Sequence, residues 1–116
     1  MFGHMECQIF RRSEKDIKNL GEPRTSHVHK AIHRISVNLW PFTEDGYGKL
    51  LGNKGGNNLT GLLKATLKHN DIRIVYSLER TQESMTIIIV GIRDDQTIYQ
   101  EAARRLEKVL NISILI

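Results

Sequence analysis

The second half of the chain carries a regular alternation of hydrophobic and polar residues, which is typical of β-strands. It is clearest in residues 62–68 and 72–79, where every second position is hydrophobic. Residues 85–93 are mostly apolar, which is typical of a central strand buried on both faces of a sheet. Short polar segments separate the three strands. The pattern therefore predicts two consecutive hairpins, which together form an antiparallel meander.

The first half of the chain predicts a strand followed by two helices. Residues 6–11 are expected to form the strand, and Ser13 is placed to cap a helix that ends at Gly21 and Pro23. A second helix is predicted over residues 26–39, because hydrophobic residues recur there at helical spacing. Its buried stripe is expected to consist of Val28, Ile32, Ile35 and Leu39.

A last helix is predicted to follow Asp95 and to run to about Leu110, with Glu101 and Arg105 placed as an ion pair one turn apart. The apolar positions of this helix recur at Ile98, Ala102, Leu106 and Val109. The tail, residues 111–116, is unusually apolar for a chain end. We expect it to add a strand or to pack on the domain, with contact to a partner as the alternative.

The length and the order of elements predict one domain over residues 1–116. Its fold class is α+β: an N-terminal strand and a two-helix hairpin pack on the antiparallel meander, and a helix closes the chain. Residues 41–60 are rich in glycine and asparagine, so they are predicted to form a flexible surface loop.

The composition indicates where the protein is located more clearly than it indicates which reaction or ligand it has. Lysine and arginine total 17 against 13 acidic residues, a net charge of +4 that permits an anionic partner but is shared by many ordinary domains. Cys7 is the only cysteine, so an internal disulfide is impossible and a cytoplasmic location is expected. No apolar run approaches the roughly 20 residues of a membrane span, so we expect no membrane association.

Sequence motifs for a metal or a cofactor are absent, and none is expected. His29 and His33 have zinc-compatible spacing, but no glutamate accompanies them as in the H-E-x-x-H motif and no third ligand is evident. A solvated helix face is the better interpretation of these histidines. The glycine-rich segment lacks the Gly-Lys-Ser/Thr ending of a Walker phosphate loop.

Basic residues on separate predicted strands are the remaining candidates for chemistry. Lys64, Arg73 and Arg93 belong to three strands, and Tyr99 lies just beyond the last. One interpretation is a basic, solvated face of the sheet. The other is a phosphate-binding site, because converging like charges repel one another unless an anion joins them. Further lysines are candidates for contact with an RNA backbone: Lys49, Lys54 and Lys68.

Four segments of the chain resemble the RelE/ParE superfamily of bacterial toxins, most closely its RelE branch of ribosome-dependent mRNA interferases. They are Leu62-Leu-Lys-Ala-Thr-Leu-Lys, Ile72-Arg-Ile-Val-Tyr, Ile89-Val-Gly-Ile-Arg and Ile98-Tyr-Gln-Glu-Ala-Ala-Arg-Arg-Leu. The resemblance implies a toxin that cuts mRNA in the ribosome, without a metal, by attack of a ribose 2′-hydroxyl on the adjacent phosphate. It also implies an antitoxin protein as a partner.

The resemblance assigns a role to each candidate. Lys64 and Arg73 correspond to residues that hold the phosphate, Arg93 to a cation near the leaving group, and Tyr99 to a ring that orients or stacks on a base. One position departs from the RelE pattern, because Thr66 stands where RelE has the lysine proposed as the general base. Two alternatives therefore stay open: a ParE-type toxin that binds gyrase, and a weakly active or inactive module that binds RNA or an antitoxin.

Overall fold

The structure is a computed structural model that describes residues 6–9, 11–37, 48–54, 56–67, 71–79, 84–92 and 94–115. Five of the strands within these residues form one sheet in the order β1-β7-β6-β5-β2, and β3 pairs with β4 in a separate hairpin. The elements are, in chain order, β1 (Glu6–Ile9), α1 (Arg11–Leu20), α2 (Arg24–Ser36), β2 (Lys49–Leu50), β3 (Asn53–Lys54), β4 (Asn57–Asn58), β5 (Leu62–Leu67), β6 (Ile72–Glu79), β7 (Ser84–Gly91) and α3 (Asp95–Leu115). The predicted α+β class and the antiparallel meander β5-β6-β7 are confirmed.

Strand β1 runs parallel to β7, and the remaining pairs of the five-stranded sheet are antiparallel. The pairing of β6 with β7 contains a bulge, because Val75 lies opposite Ile89 while Tyr76 lies opposite Ile87. Ile88 is therefore an extra residue on β7. As a consequence, Ile88 and Ile89 both face the same side of the sheet.

Hydrophobic side chains cover both faces of the sheet. One cluster joins α1 and α2 to the first face, and it includes Val28, Ala31, Ile32, Ile35, Leu63, Ile72, Ile74 and Tyr76. The second cluster joins α3 to the opposite face, and it includes Leu62, Val75, Ile88, Ile89, Ile98, Tyr99 and Ala102. The predicted helix stripes are thus found in the core, apart from Leu39 and the side chain of Val109, which lie outside the described residues.

Ser13 lies inside α1, whereas the sequence predicted that it would cap the helix. Its side chain is buried, and its hydroxyl donates hydrogen bonds to the carbonyl oxygens of Ile87, at 3.0 Å, and Ile88. Strand β1 ends at Ile9, which lies opposite Ile87. The serine therefore supplies a donor at the point where the pairing of β7 with β1 ends, and this need outweighs the capping preference of serine.

Three other boundaries also differ from the prediction. Helix α2 ends at Ser36, three residues before the predicted end. It begins two residues before the predicted start, because the preceding loop supplies acceptors for the N–H groups of its first turn. Ser26 N donates to the Glu22 carboxylate at 3.1 Å, and Thr25 N donates to the Gly21 carbonyl at 3.0 Å. Strand β7 ends at Gly91 rather than at residue 93.

The segment predicted as a loop, residues 41–60, contains three short strands in its described part. Strand β2 extends the main sheet, with Lys49 opposite Lys64 and Leu50 opposite Leu63. Just before it, Gly48 lies so close to the Tyr76 ring that a Cβ atom at this position would overlap the ring hydroxyl. Glycine is therefore required here for close packing rather than for a turn.

The apolar tail continues the last helix, which runs to Leu115, five residues beyond the predicted end. The expectation of an added strand is therefore wrong. A helix that is already formed gains one hydrogen bond for each added residue, so β-branched residues at its end join it at little cost. In the described part of the chain, no helix has the length and apolarity that crossing a membrane requires.

Candidate active site

Strand β5 and helix α3 bring two of the predicted site residues into direct contact. Lys64 projects from β5 toward α3, and Tyr99 lies one turn inside that helix. The Lys64 ammonium donates a hydrogen bond to the Tyr99 hydroxyl at 2.8 Å and lies 5.4 Å from the ring centroid. Both groups are largely shielded from solvent, since the Lys64 side chain is 16% exposed and Tyr99 is 7% exposed.

Asp95, the first residue of α3, joins Arg73 to this pair. The guanidinium of Arg73 donates a short hydrogen bond from Nε to Asp95 Oδ1, and Arg73 Nη1 donates to the Asp71 carbonyl at 3.1 Å. The Lys64 ammonium lies 3.5 Å from Oδ1 and 3.4 Å from Oδ2 of the same carboxylate. The four residues Lys64, Arg73, Asp95 and Tyr99 form one group of contacts, which we call the β5–β6 cluster.

The electrostatics of the cluster keep Asp95 ionised. Its partial burial acts to raise the pKa of the Asp95 carboxyl, but the hydrogen bond from Arg73 and the charge of Lys64 outweigh burial and hold the pKa below its usual value of 3.8. The Asp95 side chain is 47% exposed, whereas that of Arg73 is 18% exposed. The cluster therefore presents an ionised carboxylate to solvent between two more sheltered cations.

This arrangement changes one inference drawn from the sequence. One interpretation of the sequence was that Lys64 and Arg73 converge on an external anion such as phosphate. In the structure, the chain supplies the anion itself, and the formal charge of Lys64, Arg73 and Asp95 together is a single positive one. Partly exposed ion pairs contribute only about 0–1 kcal/mol each, so a phosphate can still compete for the cations.

Of the other candidate residues, some lie beside the β5–β6 cluster and some have side chains outside the described part of the chain. Lys49 is exposed and lies directly opposite Lys64 across the β2–β5 pairing, so it adds a third positive charge beside the cluster. Thr66 is exposed and lies opposite Arg73. The backbone of Lys54 belongs to β3, but its side chain is outside the described part, as are Lys68 and Arg93. The positions of these last three side chains stay predictions.

Sequence reasoning did not single out Asp95, although a signal was present. Asp95 and Tyr99 are four residues apart at the start of a predicted helix, and this spacing places two side chains on the same face. Once Tyr99 is assigned to the site, Asp95 is its neighbour by helix geometry. The missing information was the position of the helix over β5 and β6.

A second polar group lies beside the part of β7 that follows its pairing with β1. Arg105 is 8% exposed, and its guanidinium donates to both oxygens of Asp16, at 2.7 and 3.2 Å, to Glu101 at 2.9 Å and to the carbonyl of Ile88 at 2.8 Å. Asp16 Oδ2 also accepts a hydrogen bond from the backbone of Val90 at 3.1 Å. Arg105, Asp16 and Glu101, which we call the Arg105 network, therefore connect α1 and α3 through β7.

The predicted pair of Glu101 with Arg105 is thus confirmed, but its extension to α1 was not predicted. Burial acts to raise the pKa of Glu101, and hydrogen bonds from Arg104 and Arg105 outweigh it, so the pKa lies below its ordinary value. Burial likewise acts to lower the pKa of Arg105, and the bonds to Asp16 and Glu101 raise it instead. The Arg105 network supplies hydrogen-bond partners for backbone groups of β7, whereas the β5–β6 cluster presents charged groups to solvent.

Potential metal ligands do not gather in the part of the chain that the structure describes, where no group of three or more histidine, cysteine, aspartate or glutamate residues could hold an ion. His29 and His33 are both exposed on α2. Their exposure agrees with a solvated helix face.

Comparison with solved structures identifies the fold. A chain of the RelBE2 toxin–antitoxin complex from Mycobacterium tuberculosis is 17% identical, with a TM-score of 0.63 over 82% of this chain and 98% of that one. The isolated E. coli RelE toxin is 20% identical, with a TM-score of 0.62 over 88% and 98%. A chain of the intact E. coli RelBE complex is 17% identical, with a TM-score of 0.58 over 78% and 98%. No protein-family model and no curated protein matches the chain. The protein therefore has the fold of the RelE toxins.

Proposed function

We propose that this protein is the toxin of a toxin–antitoxin system and that it cleaves mRNA bound to the ribosome, without a metal. The RelE fold supports this proposal. The observation that carries it is the meeting of Lys64, Arg73 and Tyr99, which the resemblance assigned to one site, around a common point between β5, β6 and α3. Two neighbouring cations are suited to an RNA strand, because they match the negative charge of its phosphates.

The reaction requires four contributions from the protein. The ribose 2′-oxygen forms a bond to phosphorus as the bond from phosphorus to the 5′-oxygen of the next nucleotide breaks. Lys64 and Arg73 stabilise the charge on the phosphate oxygens, and Tyr99, whose ring packs in the second hydrophobic cluster, positions the Lys64 ammonium through its hydroxyl. Arg93 is assigned by the resemblance to the leaving oxygen. Thr66 cannot serve as an efficient base near neutral pH, so the group that takes the 2′-proton is another part of the site.

Toxicity and RNA cleavage provide the first test. Expression of the wild-type chain should slow growth and should produce mRNA cuts within ribosomes, detected by toeprinting. Lys64→Ala and Arg73→Ala should each abolish both effects. Lys30→Ala is the matched control, because Lys30 is an exposed lysine of α2, which packs on the other face of the sheet. Full toxicity of the Lys64 and Arg73 variants would show that the site is wrongly assigned.

The alternative of a ParE-type toxin gains support from Asp95, since this carboxylate offsets part of the positive charge that a nuclease site needs. The two functions leave different traces in the cell. A DNA-damage response with intact ribosomal mRNA would favour the gyrase-binding function. Wild-type chain that is harmless without any partner would favour an inactive binding module.

An antitoxin partner follows from the proposed toxin function. The RelBE structures are toxin–antitoxin complexes, and we propose that this chain likewise forms a complex with a small protein encoded beside it. Co-expression with the adjacent reading frame should restore growth, and the two chains should purify together. Failure of every neighbouring reading frame to restore growth would contradict this assignment.

A further inference from the structure

The two oxygens of the Asp95 carboxylate have unequal surroundings. Oδ1 accepts the short hydrogen bond from Arg73 Nε. Among the described residues, the contact of Oδ2 is the Lys64 ammonium at 3.4 Å, which is long for a hydrogen bond to a charged group. An ionised carboxylate offers about four acceptor positions. Oδ2 therefore has capacity for a further donor, and the 47% exposure of the side chain makes it accessible to a ligand.

The cap of α3 fixes the backbone at Asp95, and the hydrogen bond from Arg73 holds its carboxylate beside the cations. Asp94 accepts hydrogen bonds from the backbone of Thr97 at 2.9 Å and from its hydroxyl at 3.0 Å. The Asp94 carbonyl also accepts a bond from Ile98 N at 3.1 Å. An anionic ligand that reaches Lys64 and Arg73 therefore finds Asp95 still in place. The carboxylate repels such a ligand unless the ligand also brings a hydrogen-bond donor for it.

A ribonucleotide has this combination of groups. Its phosphate and its 2′-hydroxyl are on adjacent ribose carbons, so an anion and a hydrogen-bond donor lie side by side. A deoxyribonucleotide has the same phosphate but lacks the hydroxyl, which leaves the carboxylate facing negative charge without compensation. The 2′-hydroxyl is the group by which proteins distinguish RNA from DNA.

We propose that Asp95 is a specificity residue that accepts a hydrogen bond from the ribose 2′-hydroxyl, while Lys64 and Arg73 hold the neighbouring phosphate, so that the site selects RNA over DNA. This inference rests on the proposed function, because it specifies how the same site recognises its substrate. It also gives the carboxylate between the two cations a function of its own, beyond that of an anion that competes with phosphate.

Binding measurements test the proposal without the ribosome. Fluorescence anisotropy would compare a labelled single-stranded RNA, the same RNA with 2′-O-methyl groups, and DNA of the same sequence, at one fixed salt concentration. Wild-type protein should bind the unmodified RNA about tenfold more tightly than either strand that lacks the donor, which is the effect of one charge-assisted hydrogen bond. Gel electrophoresis would verify that the RNA stays intact.

Asp95→Ala should reduce this RNA preference to about onefold, because it weakens RNA binding while it relieves the repulsion of DNA. Asp95→Asn removes the charge with almost no change of shape and guards against a folding defect, which circular dichroism would also reveal. It should bind DNA more tightly than wild type does. Glu107→Ala is the matched control, since it removes an exposed carboxylate from the same helix and should leave the preference intact.

Two results would overturn the proposal. Equal strengthening of RNA and DNA binding in Asp95→Ala would show that the carboxylate only competes with phosphate. An unchanged RNA preference in this variant would show that another group recognises the ribose. Loss of the proposed function would look different, because wild-type protein would then bind neither strand, or Lys64→Ala would bind both as tightly as wild type.

Discussion

Replacement of Arg105 by alanine should destabilise the fold strongly, although this residue takes no part in the proposed reaction. The guanidinium is 8% exposed and bonds to Asp16, to Glu101 and to a backbone carbonyl of β7. In Arg105→Ala, the carboxylates of Asp16 and Glu101, which are 20% and 15% exposed in the wild-type chain, lose their main counter-charge. The carbonyl of Ile88, on the part of β7 beyond its pairing with β1, loses one of its two donors and keeps the hydrogen bond from the Ser13 hydroxyl.

The expected loss follows from the cost of leaving buried charges unpaired. Removal of one partner from a buried ion pair costs about 3–5 kcal/mol. Some compensation remains here, because Asp16 still accepts a hydrogen bond from Val90 N and Glu101 still accepts bonds from Arg104. We therefore expect Arg105→Ala to lower the free energy of unfolding by about 3 kcal/mol, a large fraction of the roughly 5–15 kcal/mol that holds a domain of this size together.

Urea denaturation followed by circular dichroism would measure this loss, with Arg104→Ala as the matched control. Arg104 also bonds to Glu101, at 2.6 Å, but its side chain is 58% exposed. Its removal should therefore cost less than about 1 kcal/mol. A double-mutant cycle of Arg105→Ala with Asp16→Ala should show a strong coupling, since either change alone leaves the other charge unpaired. Equal losses in the Arg105 and Arg104 variants, or the absence of coupling to Asp16, would refute the argument that burial makes this network important.

The packing around Tyr76 gives two further predictions. Burial raises the pKa of Tyr76 from 10.0 to about 12, so the phenol ionises more readily in the unfolded chain than in the folded one. The free energy of unfolding should therefore fall by about 2–3 kcal/mol as the pH rises from 10 to 12. Denaturation of the wild-type protein below pH 10 and near pH 12 should show this fall, and Tyr76→Phe should lack it. Gly48→Ala should lower the free energy of unfolding by about 1–3 kcal/mol, because the added methyl group meets the Tyr76 ring. Gly52→Ala, where a Cβ meets open space, is the control in the same denaturation assay, and equal losses in the two glycine variants would contradict the packing argument.

The sequence predicted best those elements whose position depends on a local periodicity of hydrophobic residues. Strand β6 occupies the predicted residues 72–79, because its alternation of buried positions is bounded by turns. Strand β5 is found at Leu62–Leu67, and the last predicted residue, Lys68, lies outside the described residues. The tail after residue 110 shows the limit of such reasoning, since its isoleucines favour a strand in isolation but continue α3 in the structure.

The candidate site was predictable to a similar extent. The strand pattern was enough to place Lys64 on one strand and Arg73 on the next, since alternation and antiparallel pairing are local rules. The contact with Tyr99 followed from the family resemblance. The role of Asp95 depended on where α3 begins relative to the sheet, and that position is set by packing of Ile98 and Ala102 against the hydrophobic face of β7 and its neighbours. No pattern within one segment of the sequence contains this information.

The same reasoning explains why a basic sequence pattern is weak evidence for a phosphate site. The charges of Lys64 and Arg73 are visible in the sequence, but the charge that a ligand meets is their sum with Asp95, which lies 22 residues beyond Arg73. A carboxylate at this point lowers the general attraction for polyanions, which depends on net charge. It does not lower the attraction for a ligand that offers a hydroxyl donor beside its phosphate. A site of this kind binds nucleic acid in general more weakly, but it discriminates better between RNA and DNA. The comparison of RNA with DNA binding in the Asp95 variants measures both effects directly.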